Sequence, residues 1–267
     1  MNEIAEHNSR VGAIDAYAHK SSLPILRECD GGNFAVQGTG SVFRIADRYF
    51  LITAAHTLVD EDTNERYDPA TFLFPDETRT GNLIVFGSMD LHWPKIEAAD
   101  IVVIELKNRE TIDIITANWN VLTLESIGNH TQSEEFALFG YLFEGARVND
   151  RGDIFQKGLA FRSFKLEHVP EGATYDERFD VFFALPETAD DAIIDPEKKG
   201  STEGKVPRLK GASGCSIWAL IEPDTAFWDP SVAMKVVAVQ STARPGDFFR
   251  GIDWEVARAI LRDIGVV

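Results

Sequence analysis

Short apolar runs separated by polar turns dominate the chain from residue 36 onward. The runs SVFRI, YFLIT, DIVVIEL and KVVAVQST are rich in β-branched and aromatic side chains, which favour strands. The first two flank a turn at residues 46–48, so they predict a β-hairpin. Many short strands with turn signals between them predict an all-β barrel architecture.

The two ends of the chain depart from this strand pattern. Residues 1–34 are polar, with only a weak helical stretch over residues 11–19, and we expect them to form an N-terminal extension. Near the other end, four apolar residues recur at helical spacing, namely Val256, Ile260, Leu261 and Ile264. Asp253 precedes them and can cap the first turn, so the sequence predicts a C-terminal helix.

Two charged segments interrupt the strands. Residues 60–82 are predicted to form a long acidic surface loop that contains one apolar patch. Residues 187–206 show little periodicity and are predicted to form a mobile charged loop.

Composition and charge limit the classes of function. The chain has 267 residues, of which 44% are hydrophobic, enough for one large domain or two small ones. Its net charge of −17 repels phosphate backbones, so we expect no nucleic-acid partner. No apolar run approaches the roughly 20 residues of a membrane span, so we expect no membrane contact.

The cellular compartment is predicted from two further features. No basic segment followed by an apolar one opens the chain, as a signal peptide would require. Cys29 and Cys215 are the only cysteines, whereas secreted enzymes of this size usually carry several disulfides. We therefore expect a cytoplasmic protein with both thiols reduced.

Three residues with catalytic side chains each lie at the edge of an apolar run. His56 ends the run LITAAH, Asp100 begins the run DIVVIEL, and Ser213 lies in the small-residue turn GASG. Each has an ordinary structural explanation when taken alone: a core histidine, a strand-edge aspartate and a glycine-rich turn. Chemistry offers another explanation, because a serine hydroxyl becomes a good nucleophile only when a base takes its proton.

Together, in the order His, Asp, Ser, the three segments resemble the motifs of the chymotrypsin/trypsin-like serine peptidases. The T-A-A-H motif ends at His56, an apolar strand follows Asp100, and the G-x-S-G motif contains Ser213. The α/β-hydrolases instead run in the order Ser, acid, His and use G-x-S-x-G, which Cys215 breaks here. The resemblance covers about residues 35–245 and is to the bacterial, intracellular-type branch of the family.

The resemblance implies a fold of two six-stranded antiparallel β-barrels, all-β, with a C-terminal α-helix. The first barrel is expected over about residues 35–120 and the second over about residues 130–245. The helix is expected within residues 246–267, and residues 1–34 remain an extension in front of the peptidase domain.

The resemblance also implies a role for each site residue. His56 acts as general base and then general acid, while Asp100 orients the imidazole and stabilises its charged form. Ser213 is the nucleophile. The tight turn at Gly211 leaves its own N–H and that of Ser213 free to converge as an oxyanion hole.

Substrate binding is predicted from the same resemblance. The segment that would pair with the substrate backbone as an added strand consists of Val239, Gln240, Ser241 and Thr242. The alternative for this segment is an ordinary barrel strand. In trypsin-like members an acid six residues before the nucleophile selects basic side chains, and here that position is Pro207. We therefore do not expect a preference for Lys or Arg.

Two residues beside Ser213 depart from the family pattern. Ala212 replaces the Asp that pairs with a new N-terminus after zymogen cleavage, so we expect activity without such a cut. Cys215 is expected to be a small buried residue, with a cysteine nucleophile as the alternative.

The sequence thus predicts a serine endopeptidase that hydrolyses protein or peptide substrates through an acyl-enzyme intermediate. Family analogy adds activation by a protein partner, for example as an effector in bacterial defence. The alternative is a catalytically silent protein that uses the peptidase fold as a binding module. The other histidines show no ligand spacing, so no metal and no cofactor are predicted.

Overall fold

The computed structural model describes residues 3–29, 33–76, 80–143, 147–148, 154–155, 158–188, 193, 208–222 and 228–267. Most of the predicted charged loop, residues 187–206, lies outside the described residues. The described part of the chain is mostly β-structure with a few helices, as the sequence pattern predicts.

Two antiparallel sheets carry the fold. The strands are β1 (Leu23–Cys29), β2 (Asn33–Ile45), β3 (Arg48–Thr53), β4 (Phe72–Pro75), β5 (Thr80–Gly81), β6 (Leu83–Val85), β7 (Met89–His92), β8 (Val102–Leu106), β9 (Glu135–Tyr141), β10 (Arg147–Val148), β11 (Ile154–Phe155), β12 (Gly158–Phe164), β13 (Asp180–Ala184), β14 (Ser216–Leu220), β15 (Met234–Arg244) and β16 (Phe248–Asp253). The helices are α1 (Glu3–Lys20), α2 (Arg109–Asn118), α3 (Pro230–Ala233) and α4 (Trp254–Asp263).

The first sheet runs in the order β6-β4-β1-β2-β3-β8-β7, and every pair in it is antiparallel. The predicted hairpin is β2 and β3, joined by a turn in which Ala46 and Asp47 take positive φ. Strand β1 lies upstream of residue 35 and was not predicted. The sheet therefore has seven strands in the described residues, one more than the predicted six.

Part of the predicted acidic loop is also sheet. All four residues of β4 are buried, and its Phe74 ring lies 4.8 Å from Phe86 and 5.9 Å from Trp119, centroid to centroid. The apolar patch seen in the sequence is thus a core strand, because burial of aromatic area outweighs the charged flanks.

The second sheet runs in the order β12-β9-β14-β15-β16-β13, again with antiparallel pairs throughout. The two curled sheets and the C-terminal helix α4 confirm the predicted two-barrel, chymotrypsin-like architecture. A small third sheet joins β10, β11 and β5.

The C-terminal helix forms as its pattern predicts. The Asp253 carboxylate accepts a hydrogen bond from the backbone N–H of Glu255 at 2.8 Å, which caps the first turn. Val256, Ile260 and Leu261 are buried on one face. A helix of only ten residues is marginal on intrinsic propensity alone, so burial of this apolar face is what stabilises it.

The N-terminal segment is a full helix rather than a weak stretch. Helix α1 packs on β9 and β12 of the second sheet. Its Tyr17 ring meets Trp218 edge to face at 5.8 Å, and its His19 ring stacks on Phe139 at 4.9 Å. These aromatic contacts tie the predicted extension to the core between the sheets.

One hydrophobic core spans both sheets. It contains Phe43 and Ile52 of the first sheet, Phe139 and Trp218 of the second, and Trp254 of helix α4. Because this cluster is shared, the facing edges of the two sheets have a defined relative position, and the candidate site lies at their junction.

Candidate active site

His56 follows directly on the edge of the first sheet. Strand β3 ends at Thr53, and a single 3-10 turn, Ala55–Leu58, redirects the chain. The Thr57 hydroxyl donates to the Ala54 carbonyl at 2.7 Å and is itself buried, which fixes this turn. The His56 side chain is left 38% exposed at the surface of a cleft.

Asp100 approaches His56 from the neighbouring strand. It lies two residues before β8, and β8 pairs with β3 so that Val102 faces Thr53. The two catalytic candidates therefore lie at adjacent strand ends, and Asp100 Oδ2 is 2.7 Å from His56 Nδ1. The His56 backbone N–H donates to Asp100 Oδ1 at 2.9 Å, so both carboxylate oxygens are engaged by one residue.

The carboxylate of Asp100 receives one more hydrogen bond, from the second sheet. The Ser241 hydroxyl donates to Asp100 Oδ2 at 2.5 Å. Ser241 is the extra residue of a β-bulge, since β15 pairs Gln240 with Gly251 and Thr242 with Arg250. The bulge turns the Ser241 side chain out of strand register and toward Asp100.

These contacts set the protonation of the pair. Burial raises the pKa of Asp100. The hydrogen bond and charge of His56 and the hydrogen bond from Ser241 lower this pKa by more, to about 2. Burial lowers the pKa of His56, while the hydrogen bond and charge of Asp100 raise it by more, so the net direction is upward. An ionised Asp100 thus accepts a hydrogen bond from the Nδ1–H group of His56, which leaves His56 Nε2 as the basic nitrogen.

Ser213 enters from the second sheet, in the turn before β14. The Ala212 N–H donates to the Leu209 carbonyl and the Cys215 N–H to the Ala212 carbonyl, each at 2.9 Å. His56 and Ser213 line the same cleft of about 390 Å³. The Ser213 hydroxyl points to the Ser241 carbonyl oxygen, 3.5 Å away, and is not hydrogen-bonded to His56.

Two backbone N–H groups beside Ser213 are free. Among the described residues, neither the Gly211 N–H nor the Ser213 N–H has a hydrogen-bond partner. The Lys210 carbonyl accepts from the Phe143 N–H at 2.9 Å, and across a trans peptide this directs the Gly211 N–H to the opposite side. An unpaired N–H on each of these two residues is one requirement of the predicted oxyanion hole.

The turn requires glycine at Gly211. Its φ is +94°, and a Cβ there would lie 2.6 Å from the Tyr141 carbonyl oxygen. Thr39 of β2 holds the same turn from the first sheet, with its hydroxyl donating to the Gly211 carbonyl and its N–H to the Ser213 carbonyl, both at 2.8 Å.

Arg250 also reaches the site and was missed in the sequence. Its Nη2 donates to the Ser241 hydroxyl at 3.1 Å and its Nη1 to the Thr174 carbonyl at 3.0 Å. The same Nη1 lies 3.6 Å from Oδ2 of Asp180, whose side chain is 1% exposed. The available signal was an arginine inside the apolar run FFRGI.

Only part of the predicted substrate-binding segment lines the cleft. Gln240, Ser241 and Thr242 line the cleft. Val239 is buried in the core, paired with Ser216 on one side and Ile252 on the other, and does not line it.

Cys215 lies behind the turn and is fully buried. Burial raises the pKa of its thiol well above the ordinary range, so the thiol is neutral.

Within the described part of the chain, no group of three or more His, Cys, Asp or Glu side chains is arranged to hold a metal ion. The helices formed by described residues also include none long and apolar enough to cross a membrane.

Comparisons with known proteins do not identify a family for this chain. No family model matches the chain, and no curated protein matches it either. One similar solved structure comes from work described as "Aromatic interactions drive the coupled folding and binding of the intrinsically disordered Sesbania mosaic virus VPg protein". It shares 10% identity, with 87% of this chain and 86% of that chain covered and a TM-score of 0.46. Similarity at this level leaves the family of this chain open.

Proposed function

We propose that this chain is a serine endopeptidase of the chymotrypsin/trypsin-like kind. The observation that carries the proposal is the 2.7 Å contact between His56 and Asp100, with His56 lining a cleft that Ser213 also lines. A histidine whose Nδ1 is held by an ionised carboxylate has its Nε2 free to act as a base. The free N–H groups of Gly211 and Ser213 supply the second requirement, a site for a developing oxyanion.

The reaction begins when the Ser213 hydroxyl turns from the Ser241 carbonyl toward His56 Nε2. As Ser213 Oγ bonds to the substrate carbonyl carbon, its proton passes to His56, and the carbonyl oxygen becomes an oxyanion held by the two N–H groups. Collapse of this intermediate breaks the C–N bond, and His56 gives the proton to the leaving amine. A water molecule then attacks the acyl carbon and loses a proton to His56. The bond between the acyl carbon and Ser213 Oγ breaks, His56 returns the proton to Ser213, and the new carboxylic acid leaves.

A second function is favoured by one observation. The Ser213 hydroxyl bonds to the Ser241 carbonyl at 3.5 Å rather than to His56. A protein that kept this rotamer would bind peptides without cleaving them, as a binding module. The same observation suits an enzyme switched on by a partner, because hydrogen bonds between catalytic groups often form only in the substrate complex. The cytoplasmic location predicted from the sequence remains part of the proposal, and family analogy adds a role in bacterial defence.

The deciding experiment is active-site labelling with a fluorophosphonate. The peptidase labels at Ser213, identified by peptide mass spectrometry, and the label disappears in Ser213→Ala. Ser88→Ala is the matched control, since Ser88 is exposed between β6 and β7 outside the cleft. A protein that stays unlabelled, and that releases no new termini from a whole-cell lysate digest, is the binding module instead.

A further inference from the structure

We propose that the cleft beside Ser213 binds an acidic substrate side chain, Glu or Asp, through Arg208 and Lys210. This inference rests on the proposed peptidase function and names the substrate class of the same site. It starts from charge: the whole chain carries 43 acidic against 26 basic side chains, yet Arg208 and Lys210 line this cleft and none of its described residues is acidic.

The two cations lie in the wall of the cleft that leads into the nucleophile turn. Arg208, Leu209 and Lys210 form this wall and come directly before Gly211. Residues 240–243 of β15 line the same cleft, together with His56 and Ser213. A peptide whose scissile carbonyl reaches Ser213 and the proposed oxyanion N–H groups therefore has its adjacent side chain in a cleft that Arg208 and Lys210 also line.

Neither cation is neutralised by a carboxylate within the described part of the chain. Most arginines of the described chain face a carboxylate, as Arg178 faces Asp176 and Arg244 faces Asp247. Among the described residues, no carboxylate lies within ion-pair distance of Arg208 or Lys210, and no acidic side chain lines the cleft.

The two cations have different surroundings. Arg208 is exposed, with its guanidinium open to a ligand. Lys210 is also exposed, but its ammonium lies 5.3 Å from the centroid of the Phe143 ring, in a cation–π contact with a residue that does not line the cleft. Arg208 can grip a carboxylate with two parallel hydrogen bonds, whereas Lys210 acts as a point charge. We therefore expect Arg208 to contribute more.

Charge also decides which side chains are rejected. A bound peptide removes water from part of the cleft, which strengthens the repulsion between two fixed cations and an incoming Lys or Arg side chain. An acidic side chain supplies the missing counter-charge, and its amide isostere supplies hydrogen bonds without charge. The predicted order of cleavage is Glu, then Gln, then Lys.

The test uses fluorogenic peptides that differ only in the residue before the scissile bond: Glu, Gln, Leu or Lys. We expect kcat/KM for the Glu peptide to exceed that for the Gln peptide by about tenfold, the value of one charge-assisted hydrogen bond. The advantage should shrink as salt screens the pair. Equal rates for Glu and Gln, or a preference for Lys, overturn the inference.

Charge reversal gives the matched comparison. Arg208→Glu should remove the preference for the Glu peptide and raise cleavage of the Lys peptide. Arg262→Glu makes the same charge change on an exposed residue of helix α4, outside the cleft, and should leave the order of substrates as it was. If both variants alter the order alike, the effect is one of net charge and the subsite assignment is wrong.

A binding measurement separates the two proposals. Ser213→Ala protein is titrated with fluorescent product peptides that end in Glu or in Gln, so both carry the same terminal carboxylate. Tighter binding of the Glu peptide that is lost in Ser213→Ala/Arg208→Glu supports the subsite even if the native protein proves inactive. Equal binding of the two peptides overturns the subsite, whatever the fluorophosphonate result says about the peptidase.

Discussion

Arg250 donates a hydrogen bond to the Ser241 hydroxyl at 3.1 Å, and that hydroxyl donates in turn to Asp100 at 2.5 Å. A guanidinium thus lies one hydroxyl behind the acid of the candidate triad. Its charge is balanced on the far side by Asp180. Asp100, Arg250 and Asp180 therefore alternate in charge, and through Arg250 the site is connected to the segment that contains Thr174 and Asp180.

The first prediction is that Arg250→Met shifts the pH dependence of catalysis. The positive charge of Arg250 lowers the pKa of His56, against the raising effects of Asp100 and Glu61. Removing it raises that pKa, so the acidic limb of the kcat/KM profile moves to higher pH. A looser Asp100 should also cost roughly tenfold to a hundredfold in kcat.

The controls for Arg250→Met separate the expected effect on catalysis from loss of folding and from the effects of other charged side chains. Arg250→Met leaves Asp180 buried without its counter-charge, a change that costs about 3–5 kcal/mol of stability, so the double variant Arg250→Met/Asp180→Asn is measured beside it. Arg208 and Lys210 also line the His56 cleft, and both stay unchanged in the Arg250 and Asp180 variants. Arg162→Met removes an arginine of the β12 edge and should leave the profile alone. An unshifted acidic limb in the stable double variant contradicts a positioning role.

A second prediction concerns Asp100. In Asp100→Asn the amide can present its N–H₂ to His56 and stabilise the wrong tautomer, so kcat should fall about 10⁴-fold, as in other Ser-His-Asp triads. Steady-state kinetics on a peptide substrate, with circular dichroism to verify folding, measure this. A loss below tenfold would point to another acid.

A third prediction tests the thiol alternative at Cys215. Because this side chain is buried and its thiol is neutral, Cys215→Ala should keep most activity and lose about 1–2 kcal/mol of unfolding free energy from the small cavity. Native protein should also resist iodoacetamide at this residue. Rapid alkylation together with complete loss of turnover would identify a cysteine nucleophile.

Fourth, Gly211→Ala should impair the oxyanion hole. The added Cβ lies 2.6 Å from a backbone carbonyl oxygen and φ is positive, so the turn must shift. We expect kcat to fall by about 10²–10³-fold, the value of one oxyanion donor. Gly12→Ala is the control, since a Cβ there meets nothing within 4 Å and lies in helix α1. It should leave kcat unchanged and stabilise the protein by up to about 1 kcal/mol.

The fifth prediction is that no N-terminal cut is needed for activity. Ala212 is fully buried against Gly140, where an added Cβ would lie 2.5 Å from the Ala212 Cβ. No carboxylate stands there to pair with a new terminus, and Thr39 already holds the turn. Intact mass measured on the active, labelled protein should equal that of the whole chain. Activity found only in a shortened species would contradict this.

Much of the fold could be predicted because the signal is local. The β2–β3 hairpin, the strand β8 and the helix α4 each carry their own periodicity. The contact between His56 and Asp100 followed from motif resemblance, and its physical basis is the pairing of β3 with β8. Strand β1 escaped prediction because its apolar run is short and contains Pro24, and its partners β2 and β4 decide its state.

The features of the site that the sequence did not predict depend on strand register and three-dimensional packing rather than on local sequence. Arg250 meets Ser241 only because the bulge in β15 sets the pairing of Thr242 with Arg250. The orientation of the Ser213 hydroxyl depends on a single side-chain torsion, which sequence does not specify. The cationic wall needed the cleft itself, since Arg208 and Lys210 are otherwise ordinary surface residues.

The hydrogen bonds from Thr39 to the Gly211 and Ser213 carbonyls join the sheet that positions His56 to the turn that contains Ser213. The proposed activity therefore depends on the relative position of the two barrels. Gentle heating that displaces one barrel by about 1 Å should abolish activity while circular dichroism still shows both sheets intact. Activity would fade first, and the fold would melt later.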